Sequence, residues 1–187
     1  IAGLLQVSDG KKNYLIDPLK VSDFSAFAAL MEAKHIVKVL HSCSEDLEVF
    51  DRLVGVLPSP LFDTQIAAAV CGFGFAMSYQ RLVEALLDIH VEKGETRSNW
   101  LRRPLTQSQC HYAALDVEHL PLVYRLLTDQ LVELGRTQWL SEECEACIGK
   151  FNESGPYYKK VKSAWKLSAT QLGFLDQLTR WREEQAR

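Results

Sequence analysis

Ile36-Val37-Lys38-Val39-Leu40-His41-Ser42-Cys43-Ser44-Glu45-Asp46-Leu47-Glu48-Val49-Phe50 is the stretch on which the fold turns. Its first five residues are a short, mostly β-branched apolar run, the composition of a buried strand. Ser42 and Glu45 then stand at capping-box spacing. Leu47, Phe50 and Val54 follow at helical spacing. A strand that passes directly into a helix exposes the side chains of the helix's first turn at the sheet edge, and Asp46 lies in that turn.

Working upstream, Phe24, Phe27, Ala28, Leu30 and Met31 recur at helical spacing, which predicts a helix over 23–34. Before it, Leu4-Leu5-Gln6-Val7 and Asn13-Tyr14-Leu15-Ile16 flank Asp9-Gly10, the pattern of a hairpin. Strands are therefore expected at 4–7, 13–16 and 36–40. Working downstream, Pro58 and Pro60 break the chain. Asp63 or Thr64 then caps a helix through Val70. A further helix is predicted over 78–88, and 94–104 reads as a polar, arginine-bearing loop. Thr106 and Gln109 form a second capping box, opening a long helix to about Leu134 that Pro121 must kink or divide. The residues from Gln138 to Gly149 read as helical, and Asn152-Glu153-Ser154-Gly155-Pro156 as a linker. Ser168 and Gln171 form a third capping box, ahead of a stripe of Leu172, Leu175, Leu178 and Trp181. A few strands followed by many helices predict an α/β architecture in which helices cover a small mixed sheet.

Composition bounds the function. The 187 residues are 47% hydrophobic and 24% charged, an ordinary globular balance. Twenty-one basic and 24 acidic side chains give a net charge of −3, which excludes a strongly basic coat but not a local basic patch. The longest apolar run, Ile66 to Met77, is too short to span a membrane and holds two glycines. With no secretory signal visible and an odd five cysteines in mostly apolar surroundings, the sequence predicts a cytoplasmic protein without a disulfide framework. Cys144-Glu-Ala-Cys147 is a single C-x-x-C, whereas tetrahedral zinc needs four ligands.

The chemistry concentrates in two places, the first turn around Asp46 and the segment His111-Tyr112-Ala113-Ala114-Leu115-Asp116. Tyr112 and Asp116 are four apart in a predicted helix, so both project from one face. A carboxylate with a phenol one turn away suits metal-assisted hydrolysis: the carboxylate holds a divalent ion and the phenol aims a water. Either segment alone has an ordinary structural reading, with Asp46 complementing a helix dipole and His41 a satisfied polar residue at a strand end.

Together the segments resemble the ribonuclease D family, the DEDD 3′–5′ exonucleases of the Tyr variant. Gly3-Leu4-Leu5-Gln6-Val7, Leu15-Ile16-Asp17-Pro18, Lys38-Val39-Leu40-His41-x4-Asp46, Phe62-Asp63-Thr64-Gln65, Ser98-Asn99-Trp100-Leu101-x-Arg103-Pro104-Leu105 and Tyr112-Ala113-Ala114-Leu115-Asp116 fall in that family's order. The likeness covers about 1–135. Trp165-Lys166-Leu167-Ser168-x2-Gln171-Leu172 is similar to the opening of the HRDC domain that follows in the same family.

The resemblance implies a ribonuclease H-like 3′–5′ exonuclease domain at 1–135, a helical connector and linker at 136–166, and the first helix of an all-α HRDC-like domain at 167–187. It implies two Mg²⁺ or Mn²⁺ ions, held in part by Asp46 and Asp116, with Tyr112 positioning the attacking water. The substrate would be RNA, notably tRNA precursors with single-stranded 3′ ends, and the product a 5′-mononucleotide, released by a monomer. The family's D-x-E pair, which lies upstream of the Gly-Leu-x-Gln strand, is missing from the chain, so the chain as given is expected to be inactive. Asn99 stands where many members carry Asp. Arg97, Trp100 and Arg103 in the polar loop, with Lys159 and Lys160 in a basic-aromatic segment, are candidate RNA contacts, since lysines neutralise phosphates and aromatic faces stack on bases. The alternatives are a non-catalytic RNA-binding relic of the same fold and a DNA 3′–5′ exonuclease.

Overall fold

The computed structural model describes residues 2–92, 94–95, 98–152 and 157–185, apart from the side chains of Asn152 and Lys160. Its contacts divide the chain into two compact units, Ile1–Ile148 and Gly149–Arg187.

In the first unit, β1 (Leu5–Ser8) and β2 (Asn13–Ile16) form the expected hairpin, antiparallel with Leu5 opposite Ile16. Asp9 closes the turn: its Oδ1 accepts from the amides of Lys11 and Lys12 at 2.8 and 2.7 Å. Helix α1 (Ser25–Glu32) leads into β3 (Lys38–Leu40), and α2 (Ser44–Val54) into β4 (Leu61–Asp63). The parallel pair β3–β4 sets Leu40 opposite Asp63. Antiparallel and parallel pairing thus both occur, in two separate two-stranded sheets among the described residues. Strand β4 is hidden in the sequence by the prolines before it. It forms because the Lys38 amide donates to Pro60 O at 3.0 Å and the buried Lys38 ammonium gathers the carbonyls of Ala33, Ile36 and Ser59.

The core of this unit lies under α3 (Thr64–Cys71), α4 (Tyr79–Leu87) and α6 (Leu120–Glu133). Leu120, Val123, Leu127 and Leu131 of α6 form one buried stripe that meets Ala67, Ala68, Leu82 and Val83. Each large side chain fully buried there contributes roughly 1.5–3 kcal/mol. The long helix expected from Thr106 is divided, into α5 (Gln107–Glu118) and α6. Pro121 has no amide hydrogen to continue the ladder. The Tyr79 hydroxyl occupies the break, donating to Leu115 O and accepting from the His119 amide, both at 3.2 Å. Helix α7 (Thr137–Asn152) sends Leu140 and Cys144 into the same core.

In the second unit, 3₁₀ turns at Tyr157–Lys160 and Ala164–Lys166 precede α8 (Ala169–Gln185). The capping box at its start is formed, with the Ser168 amide on Gln171 Oε1 at 2.9 Å and the Gln171 amide on Ser168 Oγ at 3.4 Å. Among the described residues no helix is long and apolar enough to cross a membrane.

Candidate functional site

Helix α5 is fixed at both ends, and that places the two residues singled out on it. At its start Gln109 N donates to Thr106 Oγ1 at 3.1 Å and Thr106 N to Gln109 Oε1 at 2.9 Å, a reciprocal cap. At its end Tyr79 holds Leu115 O. Tyr112 and Asp116 then face a cleft of ≈ 410 Å³ whose other walls are Gly3, Leu4, Gln6 and Trp100. The Trp100 and Tyr112 rings lie 6.2 Å apart, tilted by 40°. A Cβ at Gly94 would come within 3.0 Å of Tyr112 Cδ2, so the phenol ring is held between a bare backbone and an indole. Gly3 is as tightly placed, since a Cβ there would meet Trp100 Cβ at 2.8 Å.

Burial raises the Asp116 pKa to about 6. Burial, and then the Asp116 charge, raises that of Tyr112, so the phenol stays protonated at neutral pH. A protonated phenol donates a hydrogen bond rather than removing a proton, which suits it to orienting a water.

Asp46 sits in the first turn of α2 and is not among the described residues that line this cleft. Its pKa is also raised to about 6, first by burial, then by the charges of Asp63 and Glu45. The capping box expected from Ser42 does not form. Ser42 takes a positive φ of 60°, Cys43 becomes the N-cap without a side-chain bond, and the Asp63 carboxylate accepts the amides of Ser42 and Cys43 instead. The chain reversal at Ser42 turns its hydroxyl away from the role that spacing alone predicts. His41 is satisfied beside it: Nδ1 lies 2.9 Å from Thr64 Oγ1 and Nε2 3.1 Å from Met77 O. Burial lowers its pKa, so the ring is neutral.

Neither Asp46 nor Asp116 has a hydrogen-bonded or ionic partner among the described residues. Two half-buried, uncompensated carboxylates with raised proton affinity are a donor set that a hard divalent cation would neutralise. Among the described residues no group of three or more His, Cys, Asp or Glu side chains forms a metal cage. Cys144 of the C-x-x-C is buried and accepts from the Asp63 amide at 3.5 Å.

The expected RNA contacts separate. Trp100 faces the cleft. Arg103, grouped with them from its position in the polar loop, is engaged within the protein, where Nε and Nη2 donate to Asp17 at 2.7 and 2.6 Å and Nη2 to Gly3 O at 2.7 Å. Lys159 is exposed in the second unit. Arg97 and the Lys160 side chain lie outside the described residues. Spacing assigned no chemistry to the Gly3, Leu4 and Gln6 side of the cleft; its signal was the Gly3-Leu4-Leu5-Gln6-Val7 match to the family.

The 3′–5′ exonuclease family model matches residues 1–132. Ribonuclease D of Pseudomonas paraeruginosa is 53% identical over the whole of this chain and 50% of its own length. The crystal structure of Escherichia coli RNase D, an exoribonuclease involved in structured RNA processing, superposes with a TM-score of 0.88 at 38% identity, over 99% of this chain and 50% of that one. Brucella melitensis NrnC with bound Mg²⁺ superposes with a TM-score of 0.69 at 25% identity, over 77% of this chain and 71% of that one. The chain spans about half the length of the curated ribonuclease D relatives it matches.

Proposed function

This chain belongs to the 3′–5′ exonuclease family, and we propose that it serves a metal-dependent 3′–5′ exoribonuclease of the ribonuclease D type. The substrate is the 3′ end of tRNA precursors and other structured RNAs, and the product is a 5′-mononucleotide. The observation that carries this reading is the pairing of Tyr112 with a half-buried, unpartnered Asp116 in an open cleft beside Trp100.

Asp116 and Asp46 would hold divalent metal, Mg²⁺ or Mn²⁺, in line with the Mg²⁺ of the Brucella relative. Two such ions would supply charge stabilisation for the attacking and leaving oxygens. Two carboxylates offer few oxygens for two ions, and the upstream D-x-E of the family would complete the set. Tyr112 donates its hydroxyl hydrogen bond to the water that attacks the last phosphodiester. Trp100 stacks on the terminal base and limits bulk water at the Tyr112 ring. Arg103 acts at one remove, holding Gly3 and Asp17 so that the cleft wall keeps its shape. Lys159, Lys160 and Arg97 would neutralise RNA phosphates. The division into exonuclease domain (1–135), connector (136–166) and the opening of an HRDC-like domain (167–187) is part of this reading, as are monomeric action and a cytoplasmic location.

The test is release of labelled 3′-nucleotides by the full-length protein from a tRNA precursor and from a DNA strand of the same sequence, with Mg²⁺ and with chelator. Metal-dependent mononucleotide release from the RNA is expected. Release from DNA alone would make it a DNA exonuclease. Tight RNA binding with no release under any divalent metal would make it a non-catalytic binder.

A further inference from the structure

We propose that Asp63 is a positioning residue for Asp46, setting where the metal-binding carboxylate stands by fixing the first turn of α2 from a neighbouring strand. This rests on the reading of Asp46 as a metal ligand.

Asp63 closes β4 and is only 2% exposed. Its Oδ2 accepts from the Cys43 amide at 2.7 Å, and its Oδ1 from the amides of Ser42 at 3.1 Å, Gln65 at 2.8 Å and Ile66 at 3.3 Å. One carboxylate therefore caps α3, its own helix, and also gathers the start of α2, which has no side-chain cap of its own. All four contacts are N–H donors, and an ionised carboxylate is the acceptor-only group with enough lone pairs for them. From behind, the Asp63 amide donates to Cys144 Sγ at 3.5 Å, so the anchor is itself held by α7.

With Cys43 as N-cap, Asp46 is the third residue of α2. Its backbone position follows from where that first turn begins, and the turn begins where Asp63 holds the Ser42 and Cys43 amides. The positive φ of Ser42 points the same way, since a serine is kept in the left-handed region by surrounding bonds rather than by preference. Groups that orient metal ligands from behind typically cost 10- to 100-fold in metal affinity when lost.

The experiment compares Mn²⁺ binding by the full-length protein, followed as free Mn²⁺ by electron paramagnetic resonance, for Asp63→Asn, Asp63→Ser, Asp46→Asn and Leu131→Ala. Asp63→Asn places two N–H donors among N–H donors. Asp63→Ser keeps a good cap for α3 but cannot reach the α2 amides, so it remains informative if Asp63→Asn fails to fold. Leu131→Ala opens a cavity in the buried α6 stripe and leaves β3, β4 and the α2 turn in place, and so reports what lost stability alone does. Roughly 10-fold weaker Mn²⁺ binding is expected for both Asp63 variants at a temperature where they are folded, with Leu131→Ala within about 2-fold of wild type. Binding unchanged in a folded Asp63→Ser, with Asp46→Asn weakened, would overturn the positioning role alone. Binding unchanged in Asp46→Asn would overturn the metal reading and this inference together.

Discussion

Arg103 and Asp17 are joined by two charge-assisted hydrogen bonds, Nε to Oδ2 at 2.7 Å and Nη2 to Oδ1 at 2.6 Å, across 86 residues of sequence. The same guanidinium takes the carbonyls of Gly3 and Trp100 at 2.7 and 2.8 Å. The residue after β2, the second residue before β1 and the loop carrying Trp100 are thereby tied to one planar fork. Lysine has a single rotatable ammonium and cannot reproduce that geometry. Arg103→Lys is expected to lower the melting temperature and weaken RNA binding together. Weakened binding with an unchanged melting temperature would return Arg103 to the substrate.

The pairing has a pH signature. The Arg103 guanidinium, followed by the Leu19 amide, holds the Asp17 pKa at about 2, below its ordinary 3.8. A depressed folded pKa contributes stability that is whole above the unfolded value and is lost as pH falls through the folded one. The difference in melting temperature between wild type and Asp17→Asn should be full at pH 7, shrink below about pH 4 and vanish near pH 2. Thermal scans across that range, with a constant difference as the contrary result, decide it.

Asp116 and Asp46 should behave in the opposite way in metal-free protein. Their folded pKa values near 6 lie above the ordinary 3.8, so the ionised carboxylates destabilise the fold at neutral pH, a penalty relieved as pH falls from 6 towards 3.8. With chelator present, Asp116→Asn is expected to melt higher than wild type at pH 7.5 and no higher at pH 3.5. Divalent metal should reverse the order at pH 7.5, because it supplies the missing counter-charge. Calorimetry with and without Mn²⁺ measures both.

Asp116→Asn should nearly abolish mononucleotide release by the full-length protein, since it removes a carboxylate proposed to hold metal. Tyr112→Phe should cost less, roughly 10²- to 10⁴-fold, because it loses a water-aiming hydroxyl and keeps the carboxylates. Equal losses in the two variants, measured in a single-turnover 3′-end assay, would mean that the phenol does more than orient.

Gly3→Ala tests the cleft wall. The added methyl would meet Trp100 Cβ at 2.8 Å and Trp100 O at 3.2 Å, so the loop must shift. Overpacking of this kind costs roughly 1–3 kcal/mol, and displacement of the indole should raise KM for RNA. Chemical denaturation and steady-state kinetics read the two effects separately.

Most local elements, and Tyr112 with Asp116 as the candidate pair, were legible in the residues themselves. Asp9-Gly10 made the hairpin, Thr106 and Gln109 the start of α5, and the four-residue spacing of Tyr112 and Asp116 their common face, because each depends on neighbours a few residues away. What lay beyond was decided by contacts between distant segments. Spacing predicted that Ser42 would cap α2, but the carboxylate of Asp63, brought alongside by the β3–β4 pairing, takes that place and leaves Ser42 at a positive φ. Composition put Arg103 among the RNA contacts, but a guanidinium finds the nearest planar carboxylate, and only the packing of β2 against the 98–104 loop supplies Asp17. Strand β4 was invisible because its partner and the Lys38 ammonium, not its own propensity, hold it extended. Spacing along one chain can name a donor and a face. Which acceptor that donor meets is a property of the folded neighbourhood.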